Sequence, residues 1–338
     1  MRYLSLFSGI GGFEKGIEQA YENLDVSISS RSKQRRVDTK KSHPTYNNKS
    51  VGTQQPHCIG FSEIDKYAIQ TYQKHYPNHK NYGDITKINE KELPDFDLIV
   101  GGFPCQSFSI AGKRGGFADT RGTLFFEIAR ILKEKQPRLL LLENVKGLLS
   151  HDNGRTFKVI VSTLDELGYD IQWQVLNSKN FGVPQNRERV FIVGHLRGTP
   201  RPEVFPFAEA GGAADARPEQ GHTSGEIAST VRSRYGNGTG SHLIEPSRRH
   251  EQRVYEDVAP TVQSSYGTGG CHVPIVMPQI RRLTPIECER LQGFPDLWTE
   301  GVSDSQRYKM LGNAITVNVV QAVMERIMDI PTLFIDNE

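Results

Sequence analysis

Cysteine, tryptophan and long apolar runs are all scarce in this chain. Its 338 residues include four cysteines and two tryptophans. The cysteines have neither the close spacing of a zinc site nor the density of a disulfide framework, which excludes small metal-stabilised and disulfide-rich classes. Since no run of about 18 apolar residues occurs, we expect no membrane-spanning helix. A reducing cytoplasm is the simplest location, and one cysteine there is available for chemistry.

An excess of charge of one sign is also missing, because the formal net charge is only +2. The total does not indicate a nucleic-acid partner, although a local basic face can exist within a balanced total. Residues 27–57 carry seven basic residues against one acidic residue, and they include almost no apolar residues. We predict an inserted, mobile segment. A solvated surface loop is the favoured interpretation, and a phosphate-binding arm is the alternative.

Strand-type apolar runs alternate with helix-type patterns through the first 195 residues. Strands are predicted at 3–7, 58–62, 97–100, 138–142 and 190–194, and helices at 13–23, 65–75, 123–135 and 157–167. Such alternation predicts an α/β fold built on a doubly wound, mostly parallel sheet.

The pattern changes beyond residue 196, where proline and glycine become frequent and regular apolar periods disappear. The stretch 227–236 resembles 258–267, which indicates either two related β-hairpin units or a chance match of turn residues. Regular structure resumes at residues 284–292, where Thr284 and Glu287 form a capping-box pattern with proline at the first helical position. A last helix is predicted after Asn313.

Glycine, acidic and cysteine residues follow the first four predicted strands. In an open α/β sheet, ligands bind beyond the carboxyl ends of the strands, so these residues are candidates for a shared site. Gly9, Gly11 and Gly12 follow the first strand, but Glu14 occupies the position of a third glycine. This difference favours an uncharged nucleoside over a phosphate, and a plain tight turn explains the glycines equally well. Glu63 ends the second strand, where it could accept hydrogen bonds from ribose hydroxyls.

Three further groups have side chains suited to catalysis. Cys105 directly follows the third strand, where a nearby cation or helix N-terminus would favour its thiolate over an inert buried thiol. Glu143 ends the fourth strand, where it could either hydrogen-bond N3 of a pyrimidine or pair with an arginine. Arg187 and Arg189 share one face of an extended segment, suited to a base carbonyl, a phosphate or a carboxylate, or to a solvated cluster. The glycine-rich residues 107–122 are predicted to form a loop that closes over a substrate.

The order and wording of these motifs closely resemble the bacterial DNA (cytosine-5)-methyltransferases. The resemblance covers about residues 1–26, 58–195 and 280–328. It rests on eight motifs, which are Phe7–Gly12, Glu63, Gly83–Ile85, Gly102–Gln106, Glu143–Val145, Gln185–Arg189, Arg282–Cys288 and Gln306–Asn313.

The resemblance implies a Rossmann-like, S-adenosylmethionine-dependent fold with a smaller, irregular, β-rich target-recognition domain. It divides the chain into a catalytic and cofactor-binding domain (1–195), a recognition domain (196–300) and a segment returning to the first domain (301–338). Thr261-Val262, or its echo Thr230-Val231, is expected to mark the recognition loop.

The same resemblance assigns residues to three roles. The catalytic residues would be Cys105, Glu143, Arg187 and Arg189, with Arg187 holding the base carbonyl. Residues contacting S-adenosylmethionine would be Phe7, Gly9, Gly11, Gly12, Glu63, Ile64, Asp84, Ile85, Phe103, Pro104, Leu124 and Asn313. Residues contacting DNA would be Gln106, Ser109, Lys113, Arg114, Thr230, Thr261 and Arg282.

The implied reaction is attack of the Cys105 thiolate on C6 of a flipped cytosine, followed by methylation at C5. Double-stranded DNA would be the partner of a monomeric, metal-free, cytoplasmic and nucleoid-associated enzyme. A cognate restriction endonuclease would share the DNA site without binding this protein. Methylation of RNA, a catalytically silent DNA binder, and a cysteine hydrolase using His151 are the weaker alternatives.

Overall fold

The computed structural model describes residues 1–38, 55–104, 124–207, 243–245, 253–255, 259, 261–262, 275–276 and 281–328. Within these residues no helix combines the length and apolarity that a membrane span requires.

A six-stranded sheet organises the first two thirds of the chain. Its strands are β1 (Arg2–Leu6), β2 (His57–Ser62), β3 (Leu98–Gly102), β4 (Leu139–Val145), β5 (Tyr169–Asn177) and β6 (Glu188–Leu196). Their order across the sheet is β2-β1-β3-β4-β6-β5. The first four run parallel, whereas β6 is antiparallel to both of its neighbours. The predicted mostly parallel α/β sheet is therefore confirmed.

Helices cover both faces of this sheet because alternate strand residues point to opposite sides. One core joins Tyr3, Val100 and Leu141 to helices α1 (Gly12–Asp38) and, near the end of the chain, Val317–Met328. The other core joins Leu4, Ile99 and Leu140 to α3 (Leu124–Lys135) and α4 (Arg155–Glu166).

Helix α1 and strand β5 both differ from the sequence prediction. Helix α1 continues to Asp38, so residues 27–38 extend a helix rather than begin a mobile insertion. Lysine, arginine and glutamine have good helix propensity, which lets a helix continue there without an apolar face. Strand β5 was not predicted, because its polar Gln172 and Gln174 interrupt the apolar run. These two amides pair with the backbone of residues 202–207, which covers the outer side of the strand.

The remaining helices are α2 (Lys66–His75), α5 (Pro285–Leu291), α6 (Asp304–Asn313) and α7 (Val317–Met328). The predicted capping box begins α5, with the Thr284 hydroxyl and the Glu287 carboxylate each bound to the other residue's backbone N–H. Helix α6 was not predicted as a helix.

A second sheet has four short antiparallel strands, β7 (Leu243–Glu245), β8 (Arg253–Tyr255), β9 (Ile275–Val276) and β10 (Arg281–Arg282). These strands fall within the expected β-rich recognition domain. The domain boundaries at 195/196 and 300/301 stay predictions.

Candidate functional site

Four neighbouring strands end along one edge of the large sheet, and the predicted site residues lie there in a row. Leu6 at the end of β1 is paired with Ser62 of β2 and with Gly101 of β3. Gly102 is paired with Glu143 of β4. Four candidate segments therefore follow one another along this edge, at Glu63, Phe7–Gly12, Phe103–Pro104 and Glu143.

The glycine turn after β1 is a strained loop that packs closely against its neighbours. Phe7, Gly9 and Gly11 have positive φ angles of 53°, 55° and 88°. A Cβ on Gly11 would lie 2.8 Å from the Tyr76 ring, and one on Gly12 would lie 2.6 Å from Ile315. Glycine is required at these two positions because the surrounding structure leaves no room for a side chain.

Glu63 connects the glycine turn to the end of β2. Its carboxylate accepts from the backbone N–H of Gly9 at 2.9 Å and from those of Ile64 and Asp65 at 2.8 Å. It stays partly exposed, so each oxygen can still accept a hydroxyl from a ligand. The neighbouring Ile64 side chain is 73% exposed, which is unusual for an isoleucine and leaves an apolar surface beside the carboxylate.

The other described cofactor candidates differ in how far they are buried. Ile85 and Phe103 are buried in the core beneath α3, whereas Leu124 is half-buried there. Pro104 and Asn313 are exposed. Asp84 accepts from the backbone and hydroxyl of Thr86, and these hydrogen bonds lower the pKa of its carboxyl group. Asn313 lies two residues before Ile315, which packs on Gly12.

Glu143 and Arg189 form a partly enclosed ion pair on adjacent strands. Arg189 Nε lies 3.0 Å from Glu143 Oε1, and the side chains are only 18% and 13% exposed. Burial raises the pKa of Glu143, and the guanidinium groups of Arg189 and Arg187 partly oppose this shift. A Cβ on Gly102 would lie 3.1 Å from Glu143 Oε2, so the carboxylate lies against the strand that leads to Cys105.

Arg187 is bound by the protein itself. Its Nη1 and Nη2 groups donate to the backbone carbonyls of Val262, Gly312 and Ala314 at 3.2, 3.1 and 2.8 Å. Within the described residues its Nε has no hydrogen-bond partner. Burial, together with the like charge of Arg189, lowers the pKa of this guanidinium. The geometry therefore favours Arg189 over Arg187 for contact with a base.

Asn144 binds the backbone at Phe103, two residues before the proposed nucleophile, and it was absent from the predicted site residues. Its side chain is buried, accepts from the backbone N–H of Val145 and donates to the carbonyl of Phe103 at 2.8 Å. The signal available in the sequence was its position at the end of an apolar strand, next to Glu143. An amide there can hold a neighbouring loop.

Two of the four cysteines are unsuited to nucleophilic chemistry. Cys58 and Cys288 are free and buried, and burial raises the pKa of both thiols, to about 12 for Cys58. A thiol with such a pKa stays protonated at neutral pH. Cys105 lies outside the described residues, and Pro104, the described residue before it in the chain, lies at the edge that carries Glu143.

Thr261 and Val262 lie directly on the segment 184–187. The Thr261 hydroxyl donates to the Asn186 carbonyl at 2.7 Å, and the Val262 N–H donates to the Gln185 side chain at 2.8 Å. Ala259 pairs with Pro184 and Asn186 through backbone hydrogen bonds. The start of the predicted recognition loop is thus anchored to the strand that supplies Arg189.

Most of the predicted DNA contacts are not described by the structure. Gln106, Ser109, Lys113, Arg114 and Thr230 lie outside the described residues, as does most of the internal echo. Arg282 belongs to β10, although its side chain is not described. His151 contacts Thr156 at 2.6 Å at the start of α4. In the described part of the chain no group of three potential metal ligands occurs.

Comparison with protein families gives one family over nearly the whole chain. The model for C-5 cytosine-specific DNA methylase matches residues 1–210 and 208–329. Type II methyltransferase M.NlaX of Neisseria lactamica is 37% identical over 96% of this chain and 95% of its own length. Type II methyltransferase M.HhaI of Haemophilus parahaemolyticus is 34% identical over 96% and 93%.

Solved structures share the fold at lower identity. A DNMT2 mutant of Spodoptera frugiperda is similar with a TM-score of 0.60 and 17% identity, covering 96% of this chain and 99% of that one. The Dnmt2 methyltransferase of S. pombe has a TM-score of 0.60 and 19% identity, covering 95% and 96%.

Proposed function

The chain belongs to the C-5 cytosine-specific DNA methylase family, and on that premise we propose that it methylates C5 of a cytosine flipped out of duplex DNA. Cys105 would attack C6 of that base. The observation that carries the proposal is the pairing of Gly102 with Glu143, because Gly102 begins the segment leading to Cys105 and lies beside this half-buried carboxyl group.

The residues at this edge support the covalent mechanism. Cytosine C5 is a poor nucleophile, and addition of the Cys105 thiolate to C6 makes C5 nucleophilic. A protonated Glu143 donates a hydrogen bond to N3 and withdraws electron density from C6, and its raised pKa favours that form. Arg189, adjacent to Glu143, orients the carboxyl group and can donate to the base carbonyl. After methylation, loss of the C5 proton and expulsion of the thiolate restore the aromatic ring and free enzyme.

The methyl donor that fits the ends of β1 and β2, where the glycine turn and Glu63 lie, is S-adenosylmethionine. It supplies an electrophilic methyl group when bound. The crowded glycine turn gives backbone contact without the third glycine of a phosphate site. Glu63 has free lone pairs for ribose hydroxyls, and exposed Ile64 offers an apolar surface to the adenine. These residues bind and orient the donor towards the position of Cys105.

Extrusion of the base from the stack costs a few kcal/mol, which phosphate contacts must offset. We assign these contacts to residues of 106–122, including Gln106, Ser109, Lys113 and Arg114. Base edges would be read by the region 196–280, which includes Thr261.

Replacement of the nucleophile tests the proposal. Wild-type protein should transfer a labelled methyl group from S-adenosylmethionine to duplex DNA and form a covalent adduct with 5-fluorocytosine DNA. Cys105→Ser should do neither, yet it should bind S-adenosylhomocysteine normally in a calorimetric titration. Cys271→Ser is the matched control and should stay active. Full activity of Cys105→Ser would refute the assignment, and labelling of tRNA rather than DNA would favour the RNA alternative.

A role in restriction and modification is proposed from the relatives, since M.NlaX and M.HhaI are both named Type II methyltransferases. Bisulfite sequencing of DNA from expressing cells would identify the methylated site. Protection of that DNA from an endonuclease of the same specificity would support the role, and methylation without such an endonuclease in the source genome would indicate a solitary enzyme.

A further inference from the structure

Trp298 reaches the glycine turn from a part of the chain 288 residues away. It follows α5 and is buried, and its indole N–H donates to the backbone carbonyl of Ile10 at 2.9 Å. Ile10 lies between Gly9 and Gly11, whose positive φ angles create the turn. The next backbone N–H, that of Gly11, donates to the Ser8 carbonyl at 3.0 Å. Both polar groups of the Ile10–Gly11 peptide are therefore hydrogen-bonded, the N–H to Ser8 and the carbonyl to Trp298.

The Trp298 ring is packed against other aromatic rings. His75 stacks on it with ring centroids 3.6 Å apart and planes 6° from parallel. His75 Nε2 also lies 2.8 Å from the Trp298 carbonyl, so this nitrogen carries the proton and donates. Tyr76 meets the indole edge-on, and the same Tyr76 ring fills the space beside Gly11. A change in the tilt of the indole would therefore alter the packing at two positions of the glycine turn, Ile10 and Gly11.

A buried carboxylate holds the backbone on both sides of Trp298. Glu289 of α5 is fully buried and accepts from the backbone N–H groups of Leu297 and Thr299, both at 2.8 Å. The same carboxylate also accepts from the Thr299 hydroxyl and from Arg307 Nη2, the latter at 3.1 Å. Leu297 adopts φ 64°, a left-handed conformation that is costly for leucine and persists only where the surroundings enforce it.

From this arrangement we propose that Trp298 is a positioning residue for the methyl donor. Its indole N–H orients the Ile10 carbonyl and so sets the geometry of the turn between Gly9 and Gly12. Because Glu289 and Arg307 fix Trp298 to α5 and α6, the turn is held partly by residues from the last part of the predicted recognition domain. The inference rests on the proposed function, since it takes that turn as the binding site for S-adenosylmethionine.

The substitution Trp298→Phe keeps an aromatic ring against His75 but removes the N–H donor. One neutral hydrogen bond corresponds to roughly a three- to tenfold change in an equilibrium constant. We expect the Kd for S-adenosylhomocysteine and the KM for S-adenosylmethionine to rise by that factor. The change in KM should exceed the change in kcat measured at saturating donor. A side chain that only fills space would not produce this split.

Trp173→Phe is the matched control, because these are the two tryptophans of the chain. Trp173 lies on β5, is 46% exposed, and packs edge-on against Phe157, away from the glycine turn. Its replacement should leave donor affinity unchanged.

Trp173→Phe also leaves Trp298 as the single tryptophan, so its emission becomes a direct probe. Titration with S-adenosylhomocysteine should change that emission with the calorimetric Kd, a measurement that needs no folded Trp298→Phe protein. Unchanged emission, or equal donor affinity in Trp298→Phe and wild type, would overturn the inference. Failure of wild-type protein to bind the donor at all would instead refute the proposed function.

Discussion

The buried and half-buried carboxyl groups of this protein have different hydrogen-bond and ion-pair partners. Glu143 has an arginine partner, and Glu289 has two backbone N–H groups, a hydroxyl and Arg307. Glu14 is fully buried beside the glycine turn, with the Tyr72 hydroxyl as its donor at 3.0 Å and no ion-pair partner in the described part of the chain. Burial is the main cause that raises the pKa of Glu14 from 4.5 to about 7, and hydrogen bonds from Ser5 and Tyr72 partly oppose it.

We predict that Glu14 makes folding less favourable as the pH rises. Between its unfolded pKa of 4.5 and its folded pKa of about 7, the folded state binds more protons than the unfolded state, so stability falls through this window. The loss approaches about 3 kcal/mol above pH 7, at 1.36 kcal/mol per pKa unit. Glu14→Gln should remove this contribution. Urea unfolding at pH 5 and pH 8 measures it, with exposed Glu22→Gln as the control; equal pH dependence in Glu14→Gln and wild type would contradict the prediction.

At the scale of single elements, the short helix α5 depends strongly on its N-terminus. It spans seven residues and carries Glu289, which fixes Trp298. A helix this short gains little from its own backbone hydrogen bonds, so its capping box matters more than it would in a long helix. The Thr284 side chain accepts from the Glu287 N–H, and the Glu287 carboxylate accepts from the Thr284 N–H.

Removing the cap should therefore weaken both the helix and the donor site. Thr284→Ala is expected to lower the unfolding free energy by about 1 kcal/mol, whereas Thr284→Ser, which retains the hydroxyl, should cost much less. The midpoint of urea unfolding measures the difference. Calorimetry with S-adenosylhomocysteine would show whether the donor Kd rises alongside. An alanine variant as stable as the serine variant would show that the cap is dispensable.

At the scale of the whole molecule, a buried polar cluster joins segments far apart in the chain. We define it as Gln185, Arg187, Gln292 and Thr316. Gln292 donates to the Leu311 carbonyl at 2.7 Å and accepts from the Thr316 hydroxyl at 2.8 Å. Gln185 donates to the Leu291 carbonyl at 2.7 Å, and both Gln185 and Arg187 bind the backbone of Val262. The cluster therefore ties the segment that leads into β6 to the recognition loop, to α5 and to the α6–α7 junction.

Breaking this cluster at its centre should destabilise the whole fold. Gln292→Leu keeps the volume but leaves the Thr316 hydroxyl and the Leu311 carbonyl buried without their partner, at an expected cost of about 3 kcal/mol. Gln321→Leu is the control, because among the described residues the Gln321 amide donates to Glu325 alone, one turn along the same helix. The shift in the urea midpoint compares the two. A shift for Gln292→Leu no larger than that of the control would show that the cluster contributes little to stability.

The amino-acid sequence by itself determined five of the six strands of the large sheet, the glycine turn, the α5 capping box and the row of candidate groups at the strand ends. These features are local, since they depend on apolar periodicity and on residues a few positions apart. The sequence order of motifs also identified the family before any contact was known.

Only the tertiary structure decided which of the two arginines pairs with Glu143, what holds Arg187, and that Trp298 reaches the glycine turn. The partners of Arg187 and Trp298 lie 75 to 288 residues away along the chain. Alternation placed Arg187 and Arg189 on the same face of the segment. It could not show that Arg187 donates to backbone carbonyls whereas Arg189 pairs with a carboxylate. Hydrogen bonds over such separations leave no periodic trace in a sequence, because folding rather than spacing brings the groups together.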